Sequence, residues 1–202
     1  MKIAVCAKHV PEATAQRRLD PQTKRLDRSG EGTLNQFDVH AIEEALTLKD
    51  ATGEGEVVIV SLGPERALEA MRKALAMGAD RVVLVTDDGA AGSDLVATSR
   101  VLAAALERES ADLVLFGQQA NDSDGAVLWA AVADRLQRPL ISQVAELEHE
   151  DVLRDEQHGI RHHEAAHDER EDEVAARDTA CARAGRRPSR SRRRRWPRSR
   201  AR

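Results

Sequence analysis

VIVSLGPERALEAMRKALAMGADRVVLV, Val58 to Val85, holds a strand, a helix and a second strand in one window. The flanking runs Glu56–Leu62 (EVVIVSL) and Arg81–Thr86 (RVVLVT) are almost continuously apolar rather than alternating. Parallel strands buried on both faces read this way. Between them Leu68, Met71 and Leu75 recur at helical spacing, after Pro64 at a first helical position and up to Gly78, a natural residue just past a helix end. Parallel neighbours need a crossover long enough to hold a helix. The window therefore predicts one βαβ unit.

The same pattern extends outward. Lys2–Ala7 (KIAVCA) and Asp112–Gly117 (DLVLFG) are two more apolar runs. Val39, Ile42 and Leu46 share a helix face after Asp38; Leu95, Ser99, Leu102 and Leu106 follow Ser93 as an N-cap; Leu128, Val132 and Leu136 follow Asp124 and stop before Pro139. Alternating strands and helices predict an α/β domain over residues 1–153, a parallel sheet with helices on both faces. Leu140–Val144, with residues 145–154 after it, is expected to add strands at an edge.

Charge divides the chain at the same place. Residues 1–153 carry 16 Lys+Arg against 26 Asp+Glu, whereas residues 154–202 carry 15 against 9. After Asp155 leucine disappears, and the last twenty residues contain eleven arginines. Such a segment buries too little apolar surface to offset about 1–2 kcal/mol of backbone ordering per residue. Residues 154–202 are expected to be a disordered basic tail. Cys6 and Cys181 imply no disulfide framework, which fits a reducing cytoplasm. No secretory signal is recognisable, and no apolar run approaches the roughly 18 residues of a membrane span, so membrane insertion is not expected.

Ligands of open α/β sheets bind beyond the carboxyl ends of the strands. Four places qualify by position: Ala7–Pro11, Asn35, Ser61–Pro64, and the polar stretch GQQANDSDG from Gly117 to Gly125. Helix N-termini beside them suit a phosphate. Ser61–Pro64 also fits an ordinary turn, Asn35 a turn or cap residue, and Lys8 and His9 surface positions. The polar stretch is longer than the 2–6 residues or so that a strand-to-helix link needs. Neither G-x-G-x-x-G nor G-x-x-x-x-G-K-[ST] is present. His158, His162, His163 and His167 could hold a metal only weakly, and no metal site is expected. Asp122 and Asp124 lack a nucleophile or partner base and read as solvated loop or cap carboxylates, so no catalytic residue is assigned.

MKIAVCAKHVPE at the start, LNQFDVHAIEEALTLKD from Leu34 to Asp50, the opening window, and LVLFGQQANDSDGAVLWAAVADRL from Leu113 to Leu136 together resemble the electron-transfer flavoprotein beta subunit. The resemblance covers residues 1–153. It implies a Rossmann-like fold of the adenine nucleotide alpha hydrolase kind and a heterodimer with an alpha subunit that holds most of the FAD. The subunit would be an electron carrier, not an enzyme with its own substrate chemistry. Electrons would pass from flavin dehydrogenases, such as those acting on acyl-CoA in fatty acid oxidation, to a quinone oxidoreductase or other acceptor. A structural AMP is implied in the beta subunit, contacted by Cys6, Asn35, Leu62, Gly117, Gln118, Gln119, Ala120, Asn121, Asp122, Ser123, Asp124, Gly125, Ala126, Val127 and Leu128. In relatives that bifurcate electrons the same pocket holds a second FAD.

Nothing after Arg154 matches the family pattern. Arginine, alanine, glycine, proline and serine are what a GC-rich gene gives out of frame, and all five lysines lie at or before Lys73. A frameshift or truncation is expected, with weak alpha-subunit pairing and little FAD as its consequence. Two other readings compete. One is a freestanding nucleotide-binding sensor of the universal-stress-protein kind. The other is nucleic-acid binding through the arginines, opposed by the acidic body and by a single interleaved aromatic, Trp196.

Overall fold

The computed structural model describes residues 1–12, 14–144 and 147. Strands β1 (Lys2–Cys6), β4 (Glu56–Leu62), β5 (Arg81–Val85) and β6 (Leu113–Phe116) form a parallel sheet in the order β5-β4-β1-β6. The opening window is thus a β4–helix–β5 unit, with Ile59 opposite Val82 and Leu62 opposite Val85. β1 lies between β4 and β6, pairing Val5 with Ile59 on one side and Leu115 on the other.

Alternation within the strands divides the core. Ile3, Val5, Val57 and Ile59 face α1 (Gln36–Thr52) and α2 (Leu68–Met77), where Ile42, Ala45, Leu48, Met71 and Ala74 meet them. Ala4, Cys6, Val58 and Val60 face α3 (Leu95–Glu109) and α4 (Leu128–Leu136), through Leu102, Leu106 and Val132. Helices on both faces are what continuously apolar strands require, since each strand has two sides to bury. Each fully buried Ile, Leu or Met contributes roughly 1.5–3 kcal/mol relative to exposure. α2 ends at Gly78, whose φ of 123° a side chain would resist.

Several boundaries differ from the sequence reading. α3 is capped by Asp94, whose carboxylate accepts from the Ala97 amide at 2.8 Å, and not by Ser93. α4 begins at Leu128, not at Asp124; Asp124 sits in the left-handed region at φ 48°. Pro64 leads into a single 3-10 turn, Glu65–Ala67, before α2. Leu140–Val144 forms no strand, and Ile141 is 68 % exposed. The expected tail and the histidine cluster lie outside the described residues.

One element had no local forecast. β2 (His9–Pro11) and β3 (Gly32–Leu34) pair antiparallel, Val10 with Thr33, and the chain between them projects as a second small hairpin. An isolated bridge joins Leu19 to Leu26, and the Asp20 carboxylate accepts from the Gln22 and Thr23 amides at 2.8 and 2.7 Å to close its tip. No helix among the described residues is long and apolar enough to cross a membrane.

Candidate functional site

The chain steps from β1 to β4 to β5 in one direction and then returns to β6, on the far side of β1. At such a reversal the helices after the two strands that flank it leave on opposite faces and open a crevice between their carboxyl ends. Here α1 follows β1 and β2–β3 onto one face, and α4 follows β6 onto the other. Asn35 and the polar stretch Gly117–Val127 both lie at this reversal.

Asn35 precedes α1 but does not use its side chain as a cap. Its Nδ2 donates to the Gln119 carbonyl at 2.8 Å, and its Oδ1 accepts from the Asn121 amide at 3.0 Å. At 1 % exposure, the residue spends both ends of its amide on the loop. Gly117 lets the loop come so close: a Cβ there would stand 2.3 Å from Asp38 Oδ1 and 2.6 Å from the Phe37 carbonyl carbon.

Asp38, in the first turn of α1, is 5 % exposed and accepts from the Lys8 amide at 2.7 Å. Burial pushes its carboxyl up to about 7, against the backbone donors of Lys8 and Gly117 and the Asn35 amide, which favour the charged form. Cys6, buried at the end of β1, has its thiol pushed far up by burial and by the adjacent Asp38 charge, which favours the protonated form.

Asp122 corrects the expectation of a solvated carboxylate. Its side chain is 2 % exposed and held by Lys8 Nζ at 2.7 Å and Arg28 Nε at 2.7 Å. Burial raises its affinity for a proton, but the two cations outweigh burial and hold it below the usual carboxylate range. Lys8 also donates to Ser123 Oγ at 3.3 Å. Lys8 thus pairs with the loop from a surface position, its side chain 38 % exposed, and half-buried His9 has its pKa lowered by burial and by Arg66. Arg17 bonds the Asn121 carbonyl. Position in the fold could have flagged Lys8; nothing local flagged Arg17, Arg28 or Asp38.

The other candidate residues fall around this frame. Ala120 accepts the Ser123 and Asp124 amides in a turn, Ser123–Gly125 are exposed, and Gln118 accepts from Trp129 Nε1 at 3.3 Å. Ala126 and Val127 lead into α4, whose first turn carries no side-chain cap and no acidic residue, an arrangement that suits an anion. Leu62 ends β4, and beside it Ser61 Oγ is buried with no hydrogen-bond partner among the described residues. Orphan buried hydroxyls cost free energy unless something satisfies them. Among the described residues no group of three His, Cys, Asp or Glu side chains could hold a metal ion.

Fold and crevice define a doubly wound α/β domain with a polar loop clamped at its switch point. The electron transfer flavoprotein domain matches residues 23–191, so the match begins later and runs further than the expected 1–153 and continues past Arg154, where the sequence reading saw no family pattern; the chain belongs to that family. It is 41% identical over 153 residues to the caffeyl-CoA reductase-Etf complex subunit CarD of Acetobacterium woodii, covering 75% of this chain and 58% of that one. It is 42% identical over 149 residues to the electron transfer flavoprotein subunit beta of Clostridium acetobutylicum, covering 73% and 57%. Protein FixA of Sinorhizobium fredii is 41% identical over 153 residues, with 73% and 53% covered. The chain thus matches little more than half the length of these curated relatives.

Proposed function

We propose that this chain serves as the beta subunit of a heterodimeric electron-transfer flavoprotein and binds AMP in the crevice between the carboxyl ends of β1, β4 and β6. The observation that carries the reading is Asn35, buried and bonded through both ends of its amide to a polar loop at the switch point. Ser61 Oγ, without a partner among the described residues, and the uncapped start of α4 fit a nucleotide's hydroxyl and phosphate groups. Backbone groups of Cys6, Leu62 and residues 117–128 would supply the rest, Asn35 fixing the loop and Asp38 the strand ends beneath it.

FAD, held mainly by the alpha subunit, would supply the electron-carrying chemistry. This chain's residues would bind, orient and exclude water; none acts as an acid, base or nucleophile. Electrons would flow from flavin dehydrogenases, acyl-CoA dehydrogenases among them, to a quinone oxidoreductase or another acceptor in the cytoplasm. With residues 154–202 as they stand, alpha-subunit pairing and FAD retention are expected to be weak.

Acid extraction of the purified chain followed by chromatography should release an adenine nucleotide, and equilibrium dialysis should show saturable AMP binding that Asn35→Ala abolishes. Absence of both would sink the nucleotide reading. Co-expression with an alpha subunit, with flavin absorbance as readout, tests assembly separately.

A further inference from the structure

We propose that the projecting hairpin between β2 and β3 is a clasp that sets the conformation of the nucleotide loop, with Arg28, acting through Asp122, as its positioning residue. The hairpin is internally fixed: Asp20 N donates to Arg25 O and Asp27 N to Arg18 O, both at 2.8 Å, while Glu12 N donates to Glu31 O at 3.3 Å near its base. Its backbone is tied to the body by Arg66, from the 3-10 turn before α2, which bonds the carbonyls of Ser29, at 3.2 Å, and Arg28. From that anchored backbone Arg28 reaches Asp122, and Arg17 reaches the Asn121 carbonyl.

The energetics make the loop depend on this contact. A carboxylate exposed by only 2 % loses most of its hydration, which costs several kcal/mol unless it is paired. Lys8 supplies one partner from the end of β1 and Arg28 the other from the hairpin. The loop is thus gripped from within by Asn35 and from outside by the hairpin, on the adjoining residues Asn121 and Asp122. Coupling of this kind is reciprocal: if the hairpin stabilises the nucleotide-competent loop, the nucleotide must stabilise the hairpin by the same factor.

The inference rests on the nucleotide reading, and the experiments separate the two. In the ligand-free full chain, Arg28→Gln should speed amide exchange across residues 118–123, whereas Arg100→Gln, on the exposed side of α3, should not. With AMP as the probe, Arg28→Gln should raise the dissociation rate about 10-fold, within the usual range of coupling factors. Arg28→Lys should recover part of this, and the Arg28 effect should vanish in an Asp122→Asn background. AMP should slow tryptic cleavage at Lys24 and Arg25 of the wild-type chain. Unchanged loop exchange in Arg28→Gln overturns the clasp, as does AMP release at the wild-type rate. Faster loop exchange in Arg28→Gln, together with a wild-type chain that binds no AMP, would leave the clasp standing and remove the nucleotide.

Discussion

The two ends of the central sheet treat charge in opposite ways. At the amino ends of the strands, Lys2, Glu56, Arg81 and Glu109 form a partly exposed ring: Lys2 lies 3.4 Å from Glu56, and Arg81 bridges Glu56 at 3.0 Å and also reaches Glu109. Lys49 meets Asp80 beside it at 2.7 Å. At the carboxyl ends, Asn35, Asp38 and Ser61 are buried, with Asp122 sunk between two cations. A surface ring closes on itself and costs little. Buried polar groups cost much unless paired, and three of the four are paired within the chain: Asn35 by the loop, Asp38 by the Lys8 amide, and Asp122 by Lys8 and Arg28. The Ser61 hydroxyl has no such partner among the described residues.

The sharpest way to break this contrast is at Gly117. Gly117→Ala drives a methyl into Asp38 and the Phe37 backbone and should cost roughly 3 kcal/mol or more in urea unfolding. Gly125→Ala in the same loop, whose added methyl meets nothing nearer than Ser123 Oγ at 4.0 Å, should cost less than about 0.5 kcal/mol. Asn35→Ala strands the Asn121 amide and the Gln119 carbonyl, and a loss of about 2–3 kcal/mol is expected by the same measurement.

The third prediction concerns pH. The Asp38 carboxyl, raised to about 7 in the folded chain, binds its proton more tightly there than in the unfolded chain, whose value is near 3.8. Its contribution is fully present below pH 3.8 and is lost as pH rises towards 7, with a slope of at most about 1.4 kcal/mol per pH unit. Asp38→Asn should flatten unfolding free energy across that window. Asp122, depressed rather than raised, acts oppositely and only in acid, where its protonation weakens the fold. At the other end of the sheet, Glu56→Gln should change stability by no more than about 1 kcal/mol, an effect that 1 M salt should largely erase.

The layers of the fold were legible because β1, β4, β5 and β6 are runs of apolar, mostly β-branched residues, and the helices between them carry one clear apolar face. The crevice was legible because a strand ending at Phe116 is followed by a polar loop too long for a turn. What escaped was whatever depends on distant partners. Asp122 sits in a sequence that reads as solvated, and only Lys8 and Arg28, 114 and 94 residues away, make it buried. The hairpin between β2 and β3 is polar and aperiodic, so its order comes from its Asp20 turn and from Arg66, which no local pattern reports. Ser93 and Asp94 are both good caps. The structure selects Asp94 through one hydrogen bond to Ala97.

Cys6 turns this architecture into its own clock. Its thiol lies under the crevice, 6 % exposed and held protonated, so an alkylating reagent can reach it only while the strand ends part. In a Cys181→Ser background, the rate of Cys6 labelling would count those partings one by one. A bound nucleotide should slow that labelling by the factor with which it suppresses the opening that exposes Cys6.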